Sequence, residues 1–295
     1  MELTILLQDR LGIHLSDTDI AGIETIRDLL RLSIERRRGA SPLPREEPAI
    51  ATDIERWIAP TGILLTALGL ALYALNWLVM RGLFRLRSTG VERLLETGPF
   101  LIAPNHVSYL DGLAIAAALP WRRLRYLYWA GDVLRFFSNP FARLFSRAMH
   151  LFPVDSRHPA AALETANRVL RAGKVQVWFP EGWRSPDGSL QRFLPGIGQL
   201  LLRSGAPAVP AYIAGAFEAL PRGRHIPKFR RITVTFGCLE PVASLCASGI
   251  GRTDEERVVN ALRQSLIALA TEPASAADPG TTADHPADPA SSTRQ

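Results

Sequence analysis

Phe100-Leu101-Ile102-Ala103-Pro104-Asn105-His106-Val107-Ser108-Tyr109-Leu110-Asp111-Gly112-Leu113-Ala114-Ile115-Ala116-Ala117 decides the fold of this chain. The unbroken apolar run from Phe100 to Ala103 reads as a buried strand. Gly112 to Ala117 reads as a helix that opens near Asp111. A histidine and a carboxylate therefore share a strand-to-helix corner. Along a continuous helix, five residues would turn Asp111 about 140° away from His106, so the two meet only if the segment between them is a loop. A histidine oriented by a carboxylate can serve as a general base.

Outward from this corner, apolar strand-like runs recur at Tyr126–Trp129, Leu151–Val154, Val175–Phe179, Ala208–Tyr212 and Ile232–Phe236. Helical patterns lie between and after them. Pro159 to Arg171 carries Leu163, Ala166, Val169 and Leu170 on one face and stops at Gly173, and Thr253 with Glu256 forms a capping box before Val258, Leu262, Leu266 and Leu269. The alternation predicts an α/β fold, a mixed sheet flanked by helices, preceded by a hydrophobic membrane-associated helical segment.

The 295 residues suffice for one core domain with smaller attachments, and the formal charge of +6 suits an anionic surface or substrate. Nucleic acid would suit it too, but no zinc-finger, RRM or helix-turn-helix pattern accompanies the charge, so no nucleic-acid partner is expected. Cys238 and Cys246 have neither metal-ligand nor disulfide-framework spacing, which points to a reducing, cytoplasmic setting. His150 and His158 form no metal-ligand spacing with nearby acids, and neither a metal nor a cofactor is expected.

Trp57 to Met80 contains no charged residue and is long enough to cross a hydrocarbon core of about 30 Å. Trp57, Tyr73 and Trp77 suit a membrane interface, whereas a buried core helix is the soluble alternative. Arginines flank both ends: Arg45 and Arg56 before, Arg81, Arg85 and Arg87 after. Both flanks are thus drawn to the cytoplasmic side, which favours monotopic or re-entrant insertion at the cytoplasmic face of the inner membrane, bent at Pro60, Gly62 or Gly69, over a full span. Arg122, Arg123, Arg125, Arg135, Arg143 and Arg147, interleaved with Phe136, Phe137, Phe141 and Phe145, suit either a face for anionic lipid or an ordinary solvated surface.

Downstream lie Phe179-Pro180-Glu181-Gly182-Trp183-Arg184-Ser185, Val154-Asp155-Ser156-Arg157, and Val209-Pro210-Ala211 running into Gly215. Arg157 and Arg184 offer guanidinium forks suited to phosphate. Together with Asn105, His106 and Asp111, these stretches resemble the four motifs of the glycerolipid acyltransferases, the lysophosphatidate and glycerol-phosphate acyltransferases, in order and spacing from about Arg87 to Gly237. Trp183 departs from the threonine or other small residue usual there.

The resemblance implies His106 as the base that deprotonates an acceptor hydroxyl and Asp111 as its orienter, with no acyl-enzyme. Asn105, Arg157, Glu181, Gly182, Arg184 and Ser185 would bind substrate. Ser108 lacks the G-x-S-x-G elbow and reads as a turn serine. The implied reaction moves a fatty acyl group from acyl-CoA or acyl-ACP to a lysophospholipid, foremost 1-acyl-sn-glycerol 3-phosphate, in phospholipid biosynthesis. Glycerol 3-phosphate or another lysolipid is the alternative acceptor. A lipid esterase and a non-catalytic membrane module of a carrier-linked synthetase are alternatives of other classes.

Residues 1–35 resemble the later helices of an acyl carrier protein, whose Asp-Ser-Leu motif would fall just upstream of Met1; a helical docking appendage is the alternative. The expected organisation is this fragment, a linker over 36–50, the membrane-attachment segment over 51–86, the acyltransferase domain over 87–271, and a disordered tail over 272–295 poor in large apolar residues.

Overall fold

The computed structural model describes residues 54–271 apart from 96 and 97, together with Thr25, Arg27, Asp28 and Arg31. The carrier-like fragment, the linker and the tail otherwise lie outside the described residues. At Thr25 a reciprocal cap is present: Thr25 N donates to Asp28 Oδ2 at 2.9 Å, and Asp28 N to Thr25 Oγ1 at 3.2 Å.

Seven strands form one sheet: β1 (Arg87–Thr89), β2 (Phe100–Pro104), β3 (Leu127–Asp132), β4 (Leu151–Val154), β5 (Val175–Val177), β6 (Ala208–Ala214) and β7 (Thr233–Phe236). Their order is β1-β7-β6-β2-β5-β3-β4, so β2 is central. The pairs from β6 through β4 are parallel, β7 runs antiparallel to β6, and β1 follows β7, which makes the sheet mixed as the sequence predicts.

Among the described residues the helices of five residues or more are α1 (Ile54–Ile58), α2 (Ile63–Gly82), α3 (Asp111–Ala118), α4 (Pro140–Ala148), α5 (Pro159–Arg171), α6 (Gly196–Ser204), α7 (Val242–Ser248) and α8 (Asp254–Thr271). Alternation along β2 explains why its apolar run is unbroken. Phe100 and Ile102 enter one core with Tyr73, Met80 and Ala114 from α2 and α3; Leu101 and Ala103 enter the other with Ala166, Leu200 and Leu262 from α5, α6 and α8.

Helix α5 has the bounds its periodicity predicts, and β5 ends at Val177 rather than Phe179. Edge strand β1 carries only Arg, Ser and Thr and gives no hydrophobic signal; its order comes from pairing with β7. Ahead of α8, Glu256 N donates to the Thr253 hydroxyl oxygen, but the Glu256 carboxylate accepts from the N–H of Arg252 instead of that of Thr253.

The uncharged stretch from Trp57 to Met80 is not one helix: Ala59 to Gly62 separates α1 from α2. Trp57 is buried edge-on against Phe137 with ring centroids 4.8 Å apart, and Tyr73 is buried as well, so of the three aromatics expected at an interface only Trp77 is exposed. Arg147 donates to the carbonyls of Trp57 and Ala59 at 2.6 and 2.7 Å, and Arg143 and Arg123 cap the carbonyls of Phe137 and Val91. These three arginines thus hold backbone.

Helix α2 lies along the domain. Gly69 sits against the Ala148 carbonyl, where a Cβ would come within 2.5 Å; Tyr73 Oη donates to Met149 O at 3.3 Å, Asn76 Nδ2 to Leu113 O at 3.0 Å, and Met80 is fully buried. Spacing of four, three and four puts these residues on one helix face. Ile63, Leu64, Leu75 and Leu78 are exposed.

Candidate active site

Because β2 through β6 run parallel, their carboxyl ends meet at one edge of the sheet, where open α/β folds place ligands. The loops after β2 and β5 carry the first and third motifs. Asn105 leaves β2 by pairing both ends of its amide with β6: Nδ2 donates to Ile213 O at 3.0 Å and Oδ1 accepts from Ile213 N at 2.7 Å. Asn105 is 2% exposed and extends the ladder, a structural role.

Residues 105–110 are non-helical, as the meeting of His106 with Asp111 requires. His106 Nδ1 lies 2.8 Å from Asp111 Oδ2, which also accepts from Val107 N at 2.6 Å and Ser108 N at 2.7 Å. Fully buried Asp111 is the first residue of α3, where the helix dipole favours its charge. A carboxylate at Nδ1 stabilises the tautomer with its proton there and leaves a lone pair on Nε2. The imidazole is stacked on Phe179 at 4.0 Å between centroids and retains 22% side-chain exposure. Ser108 Oγ is spent on Leu220 O at 2.7 Å.

Glu181 joins the two loops. Its Oε1 accepts from His106 N at 2.6 Å and its Oε2 from Gln191 N at 2.8 Å. Burial pushes this carboxyl up to about 7, against the two N–H donors that favour its charged form. Ser185 N donates to His106 O at 2.7 Å, and Ser185 Oγ reaches Asp187 and receives Gly188 N. Gly182 adopts φ +75° where a Cβ would collide with Leu194, so the turn requires glycine.

Arg184 is 7% exposed, with its guanidinium carbon 3.4 Å from the centroid of the Tyr109 ring. Tyr109 and Gln191 are partners that motif matching passes over: one occupies a variable motif position and the other lies ten residues past Glu181.

Arg157 is placed differently. Its Nε and Nη2 grip both oxygens of Asp155 at 2.8 Å, and the fork beside it holds that carboxyl down at about 2. Because β5 and β3 intervene, β4 lies three strand spacings, roughly 14 Å, from β2. The structure thus brings together His106, Asp111, Glu181 and Ser185, while Arg157 remains on the flank. Among the described residues no group of three or more His, Cys, Asp or Glu could hold a metal ion.

The acyltransferase family model matches residues 85–214, which hold all of these groups. The mouse 1-acyl-sn-glycerol-3-phosphate acyltransferase alpha is 26% identical over 200 residues, 64% of each chain, so the match spans just under two thirds of that relative. The 1-acyl-sn-glycerol-3-phosphate acyltransferase of Bacillus subtilis is 26% identical over 148 residues, 50% of this chain and 69% of the relative. The crystal structure of PlsC from Thermotoga maritima, a 1-acyl-sn-glycerophosphate acyltransferase, superposes with a TM-score of 0.56 at 18% identity, covering 74% of this chain and 87% of that one; it shares the fold. The matched acyltransferase domain and the names its relatives carry support the glycerolipid acyltransferase family for this chain.

Proposed function

We propose that the chain transfers a fatty acyl group from a thioester donor, acyl-CoA or acyl-ACP, to the free hydroxyl of a lysophospholipid, with 1-acyl-sn-glycerol 3-phosphate as the leading acceptor. The observation that carries this reading is the His106–Asp111 pair, with its second ring nitrogen unencumbered at the carboxyl edge of the sheet. His106 Nε2 takes the hydroxyl proton as the acceptor oxygen attacks the thioester carbonyl, and Asp111 stabilises the imidazolium. Collapse of the tetrahedral intermediate forms the ester, breaks the C–S bond and expels a thiolate, which takes the proton back from His106. Arg184 lies near enough to this edge to receive the acceptor phosphate. Arg157 contributes to phosphate binding only by exchanging Asp155 for it.

The reading includes monotopic attachment at the cytoplasmic face of the inner membrane through segment 51–86. An isolated spanning helix needs lipid on all sides, whereas α2 is held to the domain from Gly69 to Met80, about 17 Å of its length. Labelled acyl donor, given with lysophospholipid and glycerol 3-phosphate acceptors in turn, tests the function. Acylated lipid is expected, and release of free fatty acid alone would assign an esterase.

A further inference from the structure

A cleft of about 820 Å³ opens beyond β6, on the flank of the sheet opposite Arg157. It is lined by Arg85, Arg224, Lys228, Arg230 and Arg231, against two acids, Glu218 and Asp187. Asp187 is already engaged by the hydroxyls of Ser185 and Ser189. None of Arg224, Lys228, Arg230 and Arg231 forms an ion pair with a described carboxylate. Five cations gathered in a concavity against two carboxylates leave an excess of positive charge, which suits a multiply charged anion. The volume lies within the range of small-molecule sites, roughly 300–1,000 Å³.

We infer that this cleft receives the 3′-phosphoadenosine diphosphate end of a coenzyme A thioester, the acyl donor of the function proposed above, on which the inference rests. Distance separates donor from acceptor. In a lysophosphatidate the phosphorus lies four bonds from the reacting oxygen, at most about 5 Å at the chain's usual reach per bond. Arg85 precedes β1, three strand spacings or roughly 14 Å from β2, and Arg231 precedes β7, two spacings away. An acceptor phosphate held by these arginines would leave its hydroxyl far from His106. A coenzyme A thioester places roughly thirteen bonds between sulfur and the nearest phosphorus, about 16 Å when extended, which matches the gap.

The near wall offers an aromatic face. Phe217 packs so closely on Gly188 that a Cβ there would fall 2.8 Å from its ring, which joins the cleft to the loop bearing Glu181 and Arg184. An adenine can stack on such a ring. A protein carrier would need a convex or flat patch of about 800 Å² on this side. The cations instead line a hollow.

The test uses the full-length protein in detergent, calorimetry with coenzyme A, dephospho-coenzyme A and adenosine 3′,5′-bisphosphate, and steady-state kinetics. The wild type should bind coenzyme A at least five-fold more tightly than the form lacking the 3′-phosphate. The exposed double variants Arg230→Glu/Arg231→Glu and Arg224→Ala/Lys228→Ala, checked for fold by circular dichroism, should lose that preference. They should also raise KM for acyl-CoA at least ten-fold without raising KM for the acceptor. A rise in acceptor KM alone, a loss confined to acyl-ACP, or weakened binding to anionic vesicles with donor kinetics unchanged would each overturn the inference. The second of these would assign a protein carrier, and the third a lipid surface reached by exposed Ile226 and Phe229 on the same loop. If the wild type bound coenzyme A with this dependence yet transferred no acyl group, the cleft would stand and the proposed reaction would fall.

Discussion

The main-chain N–H of His106 donates a 2.6 Å hydrogen bond to Glu181 Oε1. A carboxylate of the third motif therefore fixes the backbone that carries the proposed base, and through its other oxygen it holds Gln191. Glu181 is 2% exposed, so this clamp lies beneath the site, and its first effect is on the position of His106.

Glu181→Gln keeps the volume but turns an amide NH2 toward one of the two N–H donors. Leaving a buried donor unpaired should cost about 1–3 kcal/mol of stability. Turnover should fall with little change in either KM. Denaturation and steady-state kinetics on the same preparation check both.

The same residue sets a pH dependence. The folded carboxyl sits at about 7 against an ordinary 4.5, so between these values the folded state holds a proton that the unfolded chain has lost. Stability is then greatest below about 4.5 for this group and falls as pH rises to 7, by an amount on the order of 3 kcal/mol. Urea denaturation across this range should show that decline shrinking in Glu181→Gln. An identical slope in the variant would assign the dependence to other groups.

Asn105→Ala should behave as a structural lesion. It orphans both the N–H and the C=O of Ile213 at the β2–β6 seam, at a cost of about 2–3 kcal/mol. Substrate KM values measured on the folded fraction should stay within a few-fold of wild type, and a selective rise in acceptor KM would restore Asn105 to substrate binding.

Arg184→Ala should weaken phosphate-bearing acceptors by about 2–3 kcal/mol. Tyr109→Leu, which removes the ring beneath that guanidinium, should cost about 1 kcal/mol in the same acceptor term. A shift confined to the acyl donor in either variant would give the arginine to the other substrate.

What the sequence disclosed follows physical lines. The strand–loop–helix around His106 was legible because an apolar run, a geometric constraint on a five-residue spacing and a helix start agree. Strand β1 was illegible because an edge strand of Arg, Ser and Thr takes its order from its neighbour. In the apolar segment from Trp57 to Met80, Pro60 and Gly62 mark the break between α1 and α2, while the Arg147 contacts that hold Trp57 and Ala59 are illegible because they come from a residue about ninety positions away. The pairing of Arg157 with Asp155 was within reach, since the two lie two residues apart in a motif whose arginine was read only for phosphate.

Attachment to membranes should survive high salt, which screens charge but not apolar burial. Leu75→Asp with Leu78→Asp, both exposed on α2, should release the protein into the soluble fraction while leaving its circular dichroism unchanged. Release of the wild type by salt alone would contradict attachment through α2.

The most direct test of the central claim is the rate of labelled acyl transfer from thioester to 1-acylglycerol 3-phosphate by the wild type and by folded His106→Ala, with Asp111→Asn beside them. A base that takes the acceptor proton contributes at least about 100-fold. The account predicts that His106→Ala loses at least that much turnover with its fold intact, and that Asp111→Asn is also severely impaired because it disturbs the tautomer. Turnover of folded His106→Ala close to that of the wild type would contradict it.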